Sequence, residues 1–218
     1  MKLIIQSAVF CAAVAASSFS YSAQQIDQSQ TSFNTGVPFT FPGSSTTNIP
    51  LGQSFTAGLN GLLSGIIIES NGAIQGGSNT LAYNIIDGNG VNGSILGSSS
   101  ATVTSVLSPD NSSYLLSIDT SLLNINIITG HQYTFDFTNV SGPGDLSSRG
   151  ILGNTANPYS GGRIFTGPGY GNQPNWDLAF KTEVGTSSVT PVPEPETYAM
   201  MLGGLGALGF VARRRKSL

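Results

Sequence analysis

"LNINIITGHQYTFDFT", residues 123–138, is the stretch whose spacing decides the fold. Leu123, Ile125 and Ile127 alternate with Asn124 and Asn126. After Gly130 the device repeats, with Tyr133, Phe135 and Phe137 facing one way and Thr134 and Asp136 the other. A period of two gives each strand one buried and one wet face, as in an antiparallel sheet of a sandwich. On this reading Asp136 is a solvated surface carboxylate. His131, the single histidine, sits in an exposed turn just before the second strand.

Working outward, the same signals recur. "NWDLAFKT" (175–182) alternates Trp176, Leu178 and Phe180 against Asp177, Ala179 and Lys181, which places Asp177 on a wet face as well. "NTLAYNIIDGNGVNGSILGSS" (79–99) puts Leu81, Tyr83 and Ile85 on one face, then a turn at Asp87-Gly88-Asn89-Gly90, then a strand through Ile95 and Leu96. It is the clearest hairpin in the chain, with a loop longer than two residues. "GQSFTAG" (52–58) and "SGIIIES" (64–70) are β-rich runs separated by the turn dipeptide Asn60-Gly61, and "ATVTSVL" and "YLLSID" extend the series. Between residues 141 and 174 lies a Gly-, Pro- and Asn-rich stretch too long for a structureless loop in a compact domain. "GRIFTG" is the strand expected within it. The count comes to about eight to ten short strands, more than one twisted open sheet would bury, so two packed sheets are expected. A β-helix is the minor alternative that the Gly, Asn and Ser content allows.

Composition agrees. Of 218 residues only 9% are charged and 28 are glycine, which favours strands and turns over long helices. Between Asp27 and Glu183 nine acids face only Arg149, Arg163 and Lys181, about −6 by residue count. Such a surface repels phosphate backbones and argues against nucleic-acid partners.

The domain is expected at residues 49–183, with an extended leader at 23–48 carrying at most one edge strand near Phe39, and a linker at 184–191. Pro191, Pro193 and Pro195 at every second position favour an exposed, extended segment. "MKLIIQSAVFCAAVAASSFSYSAQQ" has a basic start, an apolar stretch and a small-residue boundary in the order of a secretory signal peptide, read as residues 1–22. Cys11, the only cysteine, lies inside it, so the exported chain has no disulfide.

Chemistry is sparse. One histidine supplies too few ligands for a histidine-based metal site, and no Gly-x-Ser-x-Gly elbow is visible. Asp87 and Asn89 match the first spacings of a calcium loop, but Val91 and the missing glutamate at the twelfth position break the match, leaving a hairpin turn. No metal, cofactor or catalytic residue is therefore assigned, although paired carboxylates from separate strands would suit glycan hydrolysis if they met in a cleft. Tyr159, Arg163, Tyr170 and Trp176 cluster in or beside the long loop as candidates for holding sugar rings. Trp176 has a competing place in the core through its alternation with Leu178 and Phe180.

The end of the chain, "VPEPETYAMMLGGLGALGFVARRRKSL" (192–218), joins a Pro-Glu-Pro motif, an apolar run from Tyr198 to Ala212, and the cations Arg213, Arg214, Arg215 and Lys216. As a helix the run would span roughly 22 Å, against about 30 Å of hydrocarbon, so it is a marginal permanent anchor. The basic cluster would stop it on the cytoplasmic side. These residues resemble the bacterial PEP-CTERM sorting signal. The resemblance implies recognition through Pro193, Glu194 and Pro195 by an exosortase, a transient tether in the inner membrane, and a Gram-negative host that exports a polysaccharide. The body, roughly residues 48 to 183, resembles the secreted jelly-roll "choice-of-anchor" modules through "GQSFTAG", "GIIIES", "DGNG", "NPYSGGRIFTG" and "NWDLAFKT". That family has no generally assigned catalytic residues.

The expectation is thus an all-β, jelly-roll-like sandwich flanked by a signal helix and a short C-terminal membrane helix. Its expected role is that of a non-enzymatic cell-surface or matrix protein associated with exopolysaccharide. An extracellular module that binds sugar or ice is the alternative, and a glycan hydrolase is third. Ice binding would need a regular threonine array, for which "ATVTSV" is too short.

Overall fold

The structure, a computed structural model, describes residues 24–38, 51–165 and 175–185, together with Arg213. The signal peptide, Phe39, Tyr170, the Pro-Glu-Pro motif and the C-terminal apolar run lie outside the described residues. Among the described residues no helix is long and apolar enough to cross a membrane.

Two antiparallel sheets pack face to face. The strands, in chain order, are β1 (Gln24–Gln30), β2 (Thr35–Pro38), β3 (Leu51–Thr56), β4 (Gly61–Ser70), β5 (Asn79–Asp87), β6 (Ile95–Val103) and β7 (Ser105–Leu107). They continue with β8 (Tyr114–Asp119), β9 (Asn126–Ile127), β10 (Gln132–Ser141), β11 (Gly150–Asn154), β12 (Ile164–Phe165), β13 (Asp177–Leu178) and β14 (Phe180–Gly185). The second sheet runs β12-β3-β10-β5-β6. In the first, β4 is flanked by β14 and β8, with β1 beyond β14 and β7 beyond β8. A small annex of β2, β11 and β13 joins it at Ser70.

The core forms where the periodicity placed it. Leu81, Tyr83 and Ile85 on β5 and Tyr133, Phe135 and Phe137 on β10 are buried and meet Ile66 and Ile68 of β4 and Phe180 of β14 in one cluster. The Phe135 and Phe180 rings stand 5.7 Å apart, edge to face, at the centre of the sandwich. Each fully buried side chain of this size contributes roughly 1.5–3 kcal/mol of transfer free energy.

Three expectations are corrected. The described residues hold fourteen strands rather than eight to ten. The excess comes from β1 and β2, from β11, whose "GILGN" is masked by glycines, and from the break that divides "NWDLAFKT" into β13 and β14. The segment read as a leader is part of the sandwich: β1 pairs with β14, β2 pairs with β11, and Val37 is a core residue.

Third, Asp136 and Asp177 are not on wet faces; they are 2% and 0% exposed. The outer face of β10 is roofed by its neighbours. Asp136 Oδ1 accepts from Asn84 Nδ2 at 2.9 Å, and Asn84 Oδ1 accepts from Ser98 Oγ at 2.6 Å, a polar row across β10, β5 and β6. Asp177 is covered by Gln53 of β3 and by the Tyr159 backbone, which hydrogen-bond its two oxygens, and Ala179 is fully buried too, so both faces of this segment are enclosed. Burial raises both carboxyls above the ordinary carboxylate range, against hydrogen bonds that pull them down.

Candidate functional site

The outer face of the second sheet carries the most developed concavity near the residues singled out in the sequence. It begins at Thr134 in mid-β10, whose hydroxyl donates to the Gly88 carbonyl at 2.7 Å and accepts from the Gly90 amide at 2.9 Å. This clamp folds the β5–β6 loop back over the sheet and explains why Thr134 is fully buried. Gly88 and Gly90 have φ of +86° and +139°, conformations that L side chains rarely adopt.

Across from the loop runs β12. It is pinned to β3 by reciprocal bonds: Ser54 N donates to Arg163 O at 2.9 Å, and Arg163 N donates to Ser54 Oγ at 2.9 Å. A Cβ at Gly162 would overlap the Ser54 carbonyl, so only glycine lets β12 dock this closely. Residues i and i+2 of a strand share a face. Arg163 and Phe165 accordingly stack, with the guanidinium carbon 4.8 Å from the ring centroid.

Loop and strand enclose a cavity of about 290 Å³ lined by Arg163, Phe165, Asp87, Asn89 and Asn92. Arg163 forms no ion pair among the described residues, and its Nε is buried without a hydrogen-bond partner. Arg149, by contrast, is paired with Asp145. At the rim His131 Nε2 lies 2.5 Å from Asp87 Oδ1, both side chains about half exposed at 50% and 46%. The notch therefore offers a guanidinium, a carboxylate, two amides and an apolar ring edge to a small polar ligand, a set suited to sugar hydroxyls.

Of the three sequence candidates among the described residues, Tyr159, Arg163 and Trp176, only Arg163 lines this notch. Tyr159 is a structural residue: its hydroxyl donates to Gln28 Oε1 at 3.1 Å and accepts from the Thr56 amide at 3.1 Å, and its ring meets Phe180 edge-on at 5.2 Å. Burial pushes that hydroxyl up to about 12. Trp176 is half-buried and packs against the core. Tyr170 lies outside the described residues. Phe165 and Asn92 were missed; reading "GRIFTG" with a period of two would have put Phe165 beside Arg163. His131 is exposed, as expected.

The outer face of the first sheet holds a second concavity. Gly65 on β4 is paired with Glu183 on one side and Asp119 on the other, and the missing side chain leaves room that Glu183 Oε2 enters, 2.5 Å from where a Cβ would stand. Both acids line a cavity of about 380 Å³. Its described lining includes no aromatic side chain. No group of three or more His, Cys, Asp or Glu able to hold a metal ion occurs among the described residues.

Fold and sites together define an all-β, two-sheet protein with a shallow polar notch. A protein-family model described as the PEP-CTERM protein-sorting motif matches residues 191–216. The chain thus carries that motif where the Pro-Glu-Pro sequence, the apolar run and the basic cluster stand. The motif implies recognition by an exosortase and membrane-anchored sorting to the cell surface. No curated protein matches the chain.

Proposed function

We propose that the protein is a non-enzymatic surface or matrix component of a Gram-negative bacterium. Residues 1–22 direct its export, the apolar run 198–212 tethers it briefly in the inner membrane with Arg213, Arg214, Arg215 and Lys216 as the stop, and exosortase processes it. It then associates with exopolysaccharide through the notch of Arg163 and Phe165. The observation that carries this reading is the sorting motif at 191–216. The notch supports the carbohydrate part, because a guanidinium stacked on a ring beside two asparagine amides, with no ion pair among the described residues, has donors to offer sugar hydroxyls.

The test is binding of the exported protein to the host's own polysaccharide and to a glycan array. Binding that is lost in Arg163→Ala with unchanged thermal stability supports the reading. No binding to either surface sinks the carbohydrate part and leaves the sorting route standing.

One observation favours a second reading, a glycan hydrolase: Asp119 and Glu183 flank Gly65 in one cavity. Release of reducing ends from the polysaccharide, abolished by Glu183→Gln, would establish it over the first.

A further inference from the structure

Among the described residues, β6 is the long strand edge that lacks the usual protections. It runs nine residues, Ile95–Val103, and of the described strands it pairs with β5 only. Most other outer edges are short: β12 and β13 have two residues each, β7 three and β2 four. β1 is longer but its register is broken at Asp27, whose carboxylate takes the amides of Gly58 and Leu59. Broken register, shortness and charge are the devices by which sheets avoid edge-to-edge association. β6 has no charged residue and no proline, and none of the residues between Asp87 and Asp110 is charged. The irregularity in its pairing with β5 falls near one end, between Ile95 and Gly97, and leaves Gly97 to Val103 regular.

The sequence of the strand also says what fits it. Read antiparallel about Ser99, the regular part of the strand sets Gly97 opposite Ala101 and Ser98 opposite Ser100. Small meets small, so no bulky side chain holds the two edges apart. Ile95 and Leu96, 59% and 44% exposed, lie at the bulged end of the same strand and add uncovered apolar surface beside that edge. Elsewhere a body of about −6 by residue count repels its own copies, and this uncharged strip is where two can approach.

From these features we propose that β6 pairs antiparallel with β6 of a second copy of this chain, continuing the five-stranded sheet through a two-fold axis at Ser99. The interface is isologous, and it satisfies the free amides and carbonyls of both edges at once.

Sedimentation velocity on the exported protein tests it. The wild type should show a concentration-dependent dimer. Ser99, exposed on the edge, faces itself across the axis, so Ser99→Lys and Ser99→Asp should each weaken the dimer roughly fivefold, and an equimolar mixture of the two should restore it. A wild type that stays monomeric, or a dimer indifferent to both variants, overturns the proposal; the latter result would place the contact on another surface. A second measurement leaves the centre of the strand intact. In a Cys11→Ser background, which removes the only native cysteine, oxidation of an equimolar mixture of Ser98→Cys and Ser100→Cys, positions that face each other across the axis, should give a disulfide-linked dimer, and oxidation of Ser117→Cys, on β8 of the other sheet, should not. Equal cross-linking by the mixture and by Ser117→Cys would also overturn it.

Discussion

Gln53 Nε2 donates to Asp177 Oδ1 at 3.0 Å while Gln53 Oε1 accepts from the Leu178 amide at 2.8 Å, so one fully buried glutamine on β3 ties the second sheet to β13 of the first. Asp177 Oδ2 in turn accepts from the Tyr159 amide at 3.0 Å and anchors the loop that leads to β12 and the notch. A buried carboxylate is costly to desolvate and is tolerated here because it is hydrogen-bonded on both oxygens.

Gln53→Leu should therefore cost more than its modest change in volume suggests. It strands the Leu178 amide and removes one donor from Asp177, both inside the core, for about 3 kcal/mol of stability. Urea unfolding measures it. A loss below about 1 kcal/mol would mean that the pair is replaced by water or is not formed.

The buried acids predict an unusual pH response. A carboxyl whose folded pKa lies above its unfolded value favours folding at low pH, and that contribution is lost as pH rises through the folded pKa. Asp136 and Asp177 are both of this kind, raised by desolvation. Asp110 has the opposite sign: bonds from Ser108 and Ser112 lower it to about 2, so its contribution is present above the usual carboxylate range and lost as pH falls through about 2. Asp136→Asn keeps an acceptor for Asn84 and removes the titration. Its melting temperature relative to wild type should rise as pH goes from about 4 to about 7, and a difference that does not change with pH contradicts the assignment.

Gly162→Ala tests how the notch is built. The added methyl meets backbone, the Ser54 carbonyl, and not the end of a flexible side chain, so β12 must move away from β3. The expected cost is about 1–3 kcal/mol, with loss of whatever binding Arg163→Ala loses. Unchanged stability and binding in Gly162→Ala would show that β12 is not held as described.

Particular residues show how far the sequence could be read. The alternation of Tyr133, Phe135 and Phe137 located a central strand correctly, because burial against the opposite sheet imposes a period of two on that face. It misjudged Thr134 and Asp136, because what covers the outer face is a loop and a polar row from β5 and β6, and neither is encoded within β10 itself. β1 and β2 were hidden in a polar, turn-rich stretch because edge strands need few apolar residues to pair. Arg163 was legible as a candidate through its surroundings of Gly and aromatics. Its partners Asn89 and Asn92 lie some seventy residues away, and only the folded loop brings them to it. Tyr159 looked like a sugar platform because sequence does not show which face of a loop tyrosine is covered.

The sorting claim has the most direct test. Replacing Pro193, Glu194 and Pro195 with alanine leaves the β-domain untouched, and cell fractionation followed by intact-mass measurement reads both the location and the C-terminus of the product. The protein is predicted to accumulate in the inner membrane with its tail still attached through Lys216, while the wild type leaves that membrane shortened at the C-terminus. Normal shortening and release of the alanine variant would contradict the account.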